Sequence, residues 1–228
     1  IVVLTIVVFL YSFSSIQSNS KAIDSVSIKF LGENTLFISK DDVDKMLTQG
    51  DEYIQCVDKD VLDLKLIESK VSSNPMINKA EVYLKLNGEI KVDIEQRKPL
   101  ARVISDPNYY IDQNGEKMPL STENSARVLL VHGHDNAIEL EIVFEMIKAI
   151  EKDTFLKLYV TDIFIGKENK ISLNLRDCPF RVLVGNLNRL DQKINNFKAF
   201  YQKAKKDGIL KNYKKVNLEF GQQVVGIK

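Results

Sequence analysis

The 228 residues include no tryptophan, only two histidines, two cysteines and five prolines, and neither sign of charge prevails. Each shortage removes a class of function. With 32 basic against 31 acidic residues the formal charge is +1, so the basic excess that marks a nucleic-acid surface is missing. A lysine-rich stretch near the end (Lys203, Lys205, Lys206, Lys211, Lys214, Lys215) reads as a solvated face. The two histidines fall in one His132-Gly133-His134 run beside Asp135. Imidazoles two apart can share a metal, but no full ligand set accompanies them, and the run reads as a polar loop ahead of a helix. Cys56 and Cys178 lie among apolar neighbours with no histidine nearby in sequence, which fits two separate buried thiols better than a disulfide or a nucleophile. No phosphate-binding loop, dinucleotide fingerprint or Gly-x-Ser-x-Gly elbow occurs. Glu139, Glu141 and Glu145 share a helix with an apolar stripe and form its wet side. The expectation is a chain with no catalytic residue, no metal and no cofactor: not an enzyme.

What is present begins with hydrophobicity. Apolar residues make up 44% of the chain, enough for a packed core. The opening run Ile1 to Tyr11 carries no charge, and none follows until Lys21. A membrane-crossing helix needs about 20 apolar residues, and this run is shorter. Because the chain starts at Ile1 rather than Met, the expectation is a sequence cut inside an uncleaved signal anchor spanning residues 1–20. A cleaved signal peptide is the rival, for which Ser12, Ser14, Ser15 and Ser18 supply a poor small-residue site.

Residues 24–98 predict a small βααββ module. Val26, Ile28 and Phe30 alternate as in a strand ending at Gly32. Ser39 with Asp42 three places on forms a variant capping box ahead of Val43, Met46 and Leu47. A second helix is expected from Asp58, with Val61, Leu62, Leu66 and Val71 on its face, stopping before Pro75. Two alternating runs, Ala80-Val82-Leu84-Leu86 and Ile90-Val92-Ile94, flank Asn87-Gly88, which predicts a hairpin with a type I′ turn. A three-stranded sheet with two helices on one face would bury both apolar sets.

Residues 99–228 are richer in strands. Strands are predicted at Arg102 to Ile104, Tyr109 to Asp112, Arg127 to Val131, Phe155 to Ile165, Lys170 to Leu175 and Phe180 to Val184. Two amphipathic helices are predicted, Ala137 to Lys152 (Leu140, Phe144, Ile147, Ile150) and Leu190 to Lys206 (Leu190, Ile194, Phe197, Tyr201). The fold class is therefore α+β: an anchor, the βααββ module, then a strand-rich sheet domain. The final stretch, Lys215 to Lys228, predicts one strand whose pattern breaks its own rule. Val216, Leu218 and Phe220 point one way; continuing the phase puts Gln222, Val224 and Gly226 with them, and Val225 and Ile227 on the face occupied by Glu219. A bulge at Gly221, burial of both faces, or a partner covering the second face each account for this.

This order of elements resembles the bacterial cell-division family FtsQ/DivIB. The residues that carry the resemblance are Phe30-Leu31-Gly32-Glu33-Asn34, Asn74-Pro75, Ala80-x-Val82 and Gln96-Arg97-Lys98-Pro99-Leu100-Ala101. They continue with Tyr110-Ile111-Asp112-x-x-Gly115 and with Val216-Asn217-Leu218-Glu219-Phe220 followed by Gln223-Val224-Val225. Asn87-Gly88 stands where the family often has Trp-Pro, and Asn217, Glu219 and Ile227 depart from its usual last strand. The resemblance implies a POTRA domain in the first module. It also implies a scaffold held in the cytoplasmic (inner) membrane at the division site, with most of the chain periplasmic. Its partners would be the single-pass proteins FtsB and FtsL, bound partly by strand addition at Phe220, Gln222, Val224, Val225 and Ile227, with other divisome proteins met through the POTRA-like module. No nucleic acid is implied. Two other classes remain. A POTRA-bearing transport or secretion component would need a barrel for which too few residues follow, and an extracytoplasmic enzyme would have to rest on His132, His134 and Asp135.

Overall fold

The computed structural model describes residues 3, 5–9, 25–32, 37–48, 63–133, 139–221 and 223–228. Among these no helix is long and apolar enough to cross a membrane, and most of the expected anchor lies outside them. The chain divides into two compact units, one comprising residues 1–97 with 121–125, the other residues 98–120 with 126–228.

The first unit runs β1 (Ser25–Leu31), α1 (Lys40–Thr48), α2 (Leu64–Ser72), β2 (Ile77–Leu84), β3 (Glu89–Gln96). Its sheet has the order β1-β3-β2, with β1 parallel and β2 antiparallel to β3. Ser39 starts α1 as expected: its Oγ accepts from the Asp42 N–H at 3.1 Å and donates to Asp42 Oδ2 at 2.7 Å. Ile38, Val43, Leu47, Ile67 and Val71 bury one sheet face through Ala80, Val82, Ile90, Val92 and Ile94.

Two expectations change here. The described part of α2 begins after Asp63, whose carboxylate accepts from the N–H groups of Lys65 and Leu66; Asp58 to Leu62 lie outside the described residues. With that start, the stripe facing the sheet is Leu64, Ile67 and Val71. Leu66 falls about 100° round the helix and is 68% exposed. The hairpin forms at Asn87-Gly88, but not as a type I′ turn: only Gly88 has a positive φ, +90°. The Gly88 N–H donates to Lys85 O (3.0 Å) and the Lys85 N–H to Glu89 O (2.9 Å). These bonds close a three-residue loop, an ordinary turn over Leu86-Asn87 followed by a left-handed glycine.

The second unit contains β4 (Pro99–Ile104), β5 (Tyr109–Asp112), β6 (Lys117–Pro119), β7 (Leu129–His132), α3 (Leu140–Lys152), α4 (Thr154–Tyr159), β8 (Val160–Ile165), β9 (Ile171–Leu175), β10 (Arg181–Gly185), α5 (Leu190–Lys206), β11 (Lys215–Asn217) and β12 (Val225–Ile227). All nine strands form one mixed sheet in the order β12-β11-β10-β9-β8-β7-β4-β5-β6. Register aligns Val103, Val131, Ile163, Leu173, Val182 and Val216 in a row across one face. All are buried, against Val143, Met146, Ile147 and Ile150 of α3 and Ile194, Phe197 and Tyr201 of α5. Leu140, Phe144 and Leu190, expected in these stripes, pack only partly buried at their margins.

The β5–β6 connection turns on Asp112. Its Oδ1 accepts from the N–H groups of Asn114 and Glu116, each at 2.9 Å, and its side chain is wholly buried. Gly115 follows with φ +82°, where an added Cβ would lie 2.8 Å from the Phe144 ring. β6 was not anticipated, because three residues ending in proline are too few to show alternation.

The predicted strand from Phe155 is instead α4 up to Tyr159, a third helix. Asp153 is the reason. Its carboxylate accepts from the Phe155 and Leu156 N–H groups, both at 3.0 Å, and pairs with Lys198 Nζ at 2.6 Å. One helical turn then brings Phe155 onto Tyr159, rings 4.8 Å apart. Burial raises the Asp153 pKa, but Lys198 and the two capped amides outweigh it, so the carboxyl titrates below its ordinary value of 3.8. A depressed folded-state value means stability that is complete above 3.8 and is lost as pH falls through the lowered value. Urea midpoints should therefore fall on that acid limb, and Asp153→Asn should flatten it.

The expected single strand from Lys215 to Lys228 is two strands. β11 runs parallel to β10, and β12 folds back antiparallel on β11. Gly221, with φ +61°, sits in the turn between them. The phase break is thus a reversal of the chain, not a bulge within one strand.

Candidate interaction site at the free strand edge

The reversal decides where the five predicted partner-binding residues lie. Val225 and Ile227 are on β12, 37% and 45% exposed. Val224 is half-buried against the core. Phe220 does not point into the core, as its phase had suggested; it is in the turn and 59% exposed. Gln222 lies outside the described residues.

β12 ends the nine-stranded sheet, and the backbone bonds of β11 show which of its groups are open. The Leu218 N–H donates to Leu183 O at 2.8 Å. Val216 and Leu218 thus spend their backbone groups on β10, leaving Lys215 and Asn217 to bond β12. Their partners there are Ile227 and Val225. Backbone alternation then turns the N–H and C=O of Gly226 outward to the open rim.

Of the other three edges two are blunted, as edges often are; the third, β1 at the end of the small sheet, runs seven residues without proline. On β2 the Val82 N–H is satisfied by Glu68 Oε2 at 3.3 Å. At the far end of the large sheet, β6 is three residues long and ends in Pro119, which has no N–H to offer. β12 has no proline, no charge within it and no capping side chain among the described residues.

The sheet face opposite the helices continues from this rim. Register sets Val225, Asn217, Leu183, Ser172, Phe164, His132 and Ile104 side by side across seven strands. All are half-buried or exposed. The His132 ring stacks on Phe164 at 4.6 Å and its Nε2 meets Asp162 Oδ1 at 2.9 Å. The Arg181 guanidinium lies over the Phe164 ring at 3.9 Å. A shallow depression of about 350 Å³ follows, lined by Phe164, Lys170, Ser172, Arg181, Leu183 and Glu219. On the helix side, Lys193 is buried, and its Nζ donates to Val184 O, Asn186 O and Asn186 Oδ1 at 2.9, 2.7 and 3.1 Å. Burial lowers its pKa, with Glu219 opposing. Three acceptors for three protons make this ammonium a strut for the loop after β10.

The groups that could carry chemistry are only partly described. His132 is committed to Asp162 and Phe164; His134 and Asp135 lie outside the described residues, and no three metal-ligating side chains cluster among the described ones. Burial, with Asp177, pushes the Cys178 thiol up to about 11, so it is not a thiolate at neutral pH. Cys56 lies outside the described residues.

A family profile described as "FtsQ/DivIB, C-terminal related" matches residues 98–227, more than half of the chain. The chain belongs to the FtsQ/DivIB family. A POTRA-like domain profile matches residues 24–95, over the βααββ unit. The cell division protein DivIB of Bacillus subtilis (strain 168) is 29% identical over 121 residues, which are 51% of this chain and 45% of that protein. The match thus spans less than half of that relative's length. In this FtsQ/DivIB chain the profile's span contains the whole large sheet with its open rim.

Proposed function

We propose that this FtsQ/DivIB chain is a non-enzymatic scaffold of the cell-division complex, anchored in the cytoplasmic membrane by its N-terminal segment, with its bulk outside the cytoplasm at the division site. Single-pass partners of the FtsB and FtsL kind are bound by the strand-rich unit, partly by adding a strand to β12, and so help recruit and regulate septal wall synthesis. The POTRA-like unit makes further contacts with division proteins. One observation carries the reading: β12 ends a nine-stranded sheet with the Gly226 backbone unpaired along its rim, flanked by the exposed apolar side chains of Phe220, Val225 and Ile227. Main-chain bonds would supply affinity, and the apolar side chains selectivity.

Deleting residues 221–228 should reduce co-purification of FtsB- and FtsL-like partners from mildly solubilised membranes at least tenfold, while the circular dichroism of the remaining protein is retained. Phe220→Ala should weaken capture by a smaller factor, since a single rim side chain is removed. Undiminished capture by the truncated chain would overturn the assignment of this surface.

A further inference from the structure

The rim of β12 differs sharply between its two ends. Residues 198–228 hold eight lysines against Asp207 and Glu219, and three of these lysines meet at Ile227. Lys215 is its cross-strand neighbour, Lys214 donates its backbone N–H to Ile227 O at 2.8 Å, and Lys228 follows it in sequence. All three side chains are exposed, and none enters an ion pair among the described residues. This end of β12 is therefore basic, and an anion brought to it would be attracted.

At the other end, Val225 pairs with Asn217, which is already engaged. Its Nδ2 donates to Glu219 Oε2 at 3.3 Å, and its Oδ1 accepts the Glu219 N–H at 2.8 Å. Glu219 in turn faces Lys170 at 4.0 Å. What this end leaves open is apolar: Val225 and, in the turn, Phe220.

We infer that the strand admitted by β12 is acidic at the end beside Ile227 and apolar at the end beside Val225, with Lys214, Lys215 and Lys228 selecting its carboxylates. The inference rests on the strand-addition reading and adds to it the chemistry of the partner. The lysines lie beside one end of an open backbone rim, Lys214 and Lys215 one strand in and Lys228 on the edge itself; an anionic membrane surface would leave that rim unused, so a peptide strand fits them better than a lipid headgroup. Exposed ion pairs are individually weak and screened by salt; three together give a preference of about tenfold at low ionic strength that fades at 0.5 M salt.

Panning a displayed library of random twelve-residue peptides against the full chain tests this. Peptides whose binding requires residues 225–228 should carry glutamate or aspartate in one half and apolar residues in the other. The triple variant Lys214→Glu, Lys215→Glu, Lys228→Glu, altered only at exposed positions, should select peptides with lysine or arginine in that half. Tail-dependent peptides of no particular charge, or an unchanged selection by the triple variant, would overturn the lysines' role and leave strand addition standing. No tail-dependent peptide at all would overturn both. Sedimentation with phosphatidylglycerol vesicles that the triple variant loses and the acidic peptides do not block would reassign the lysines to lipid.

Discussion

Gly226→Ala is expected to abolish most partner capture while leaving the melting temperature of the protein nearly unchanged. The backbone at Gly226 does not need positive φ, so glycine answers here to space. An added Cβ would lie 2.4 Å from Cε1 and 2.7 Å from Cδ1 of Tyr213. That ring is held by Phe200, 5.2 Å away, and Phe180, 6.4 Å away, so it has little room to yield. Overpacking of this kind costs about 1–3 kcal/mol. The weaker party is β12, three residues joined to the sheet along one side only. The strand should therefore lift away, and amide exchange at 225–227 should quicken. Since about 1.4 kcal/mol is a factor of ten, capture should fall about tenfold or more. Adding Tyr213→Ala to Gly226→Ala restores the space and should recover capture. Equal capture by Gly226→Ala and the unaltered chain would mean that a seated β12 is not needed.

Asp112→Ala should act on stability instead. The family resemblance includes Tyr110-Ile111-Asp112-x-x-Gly115, and the structure gives that pattern a mechanical reason. One buried carboxylate oxygen holds two amides of the turn, the Gly115 N–H donates to Asp112 O at 3.0 Å, and Gly115 lies flat against Phe144. Removing the carboxylate takes the shared charged acceptor from two amides of a part-buried turn, bonds worth about 1–2.5 kcal/mol each. A loss of roughly 2–5 kcal/mol follows, which for a unit of this size lowers the melting temperature by about 5–15 °C. Asp112→Asn keeps an oxygen in place and should cost less. A melting temperature unmoved by Asp112→Ala would show that the turn is held by something else.

Legibility in the sequence followed the length of each pattern. β1, the hairpin β2–β3, α5 and the Ser39 cap each repeat a signal over several residues, and all four are where the periodicity puts them. The errors fall where one local bond outweighs a short pattern. Phe155 to Tyr159 is as apolar as a strand, but the Asp153 carboxylate caps it as a helix. Asn87-Gly88 makes its hairpin with one left-handed residue, because a three-residue loop asks for no more. At the candidate site, the sequence showed that the tail breaks phase between Phe220 and Val225 but not why. A continuous alternation and a tight reversal at Gly221 differ only in which strand becomes the neighbour, and that is decided by β10 and β11, more than thirty residues apart. Lys193 has no signal in the sequence, since a lysine among charged helix residues carries no mark of burial. Lys214 and Lys215 read from sequence as part of a solvated face, and both are exposed; only cross-strand register sets them beside Ile227 at one end of a rim.

One amide decides whether this rim receives a partner strand. Hydrogen exchange of the segment 224–228 should be compared between the free protein and the complex isolated from membranes. The Gly226 N–H, open to water in the free chain, should become strongly protected in the complex, together with its neighbours on β12. A Gly226 amide that exchanges as fast in the complex as alone, with protection gained elsewhere on the surface, would contradict the claim that this rim receives a partner strand.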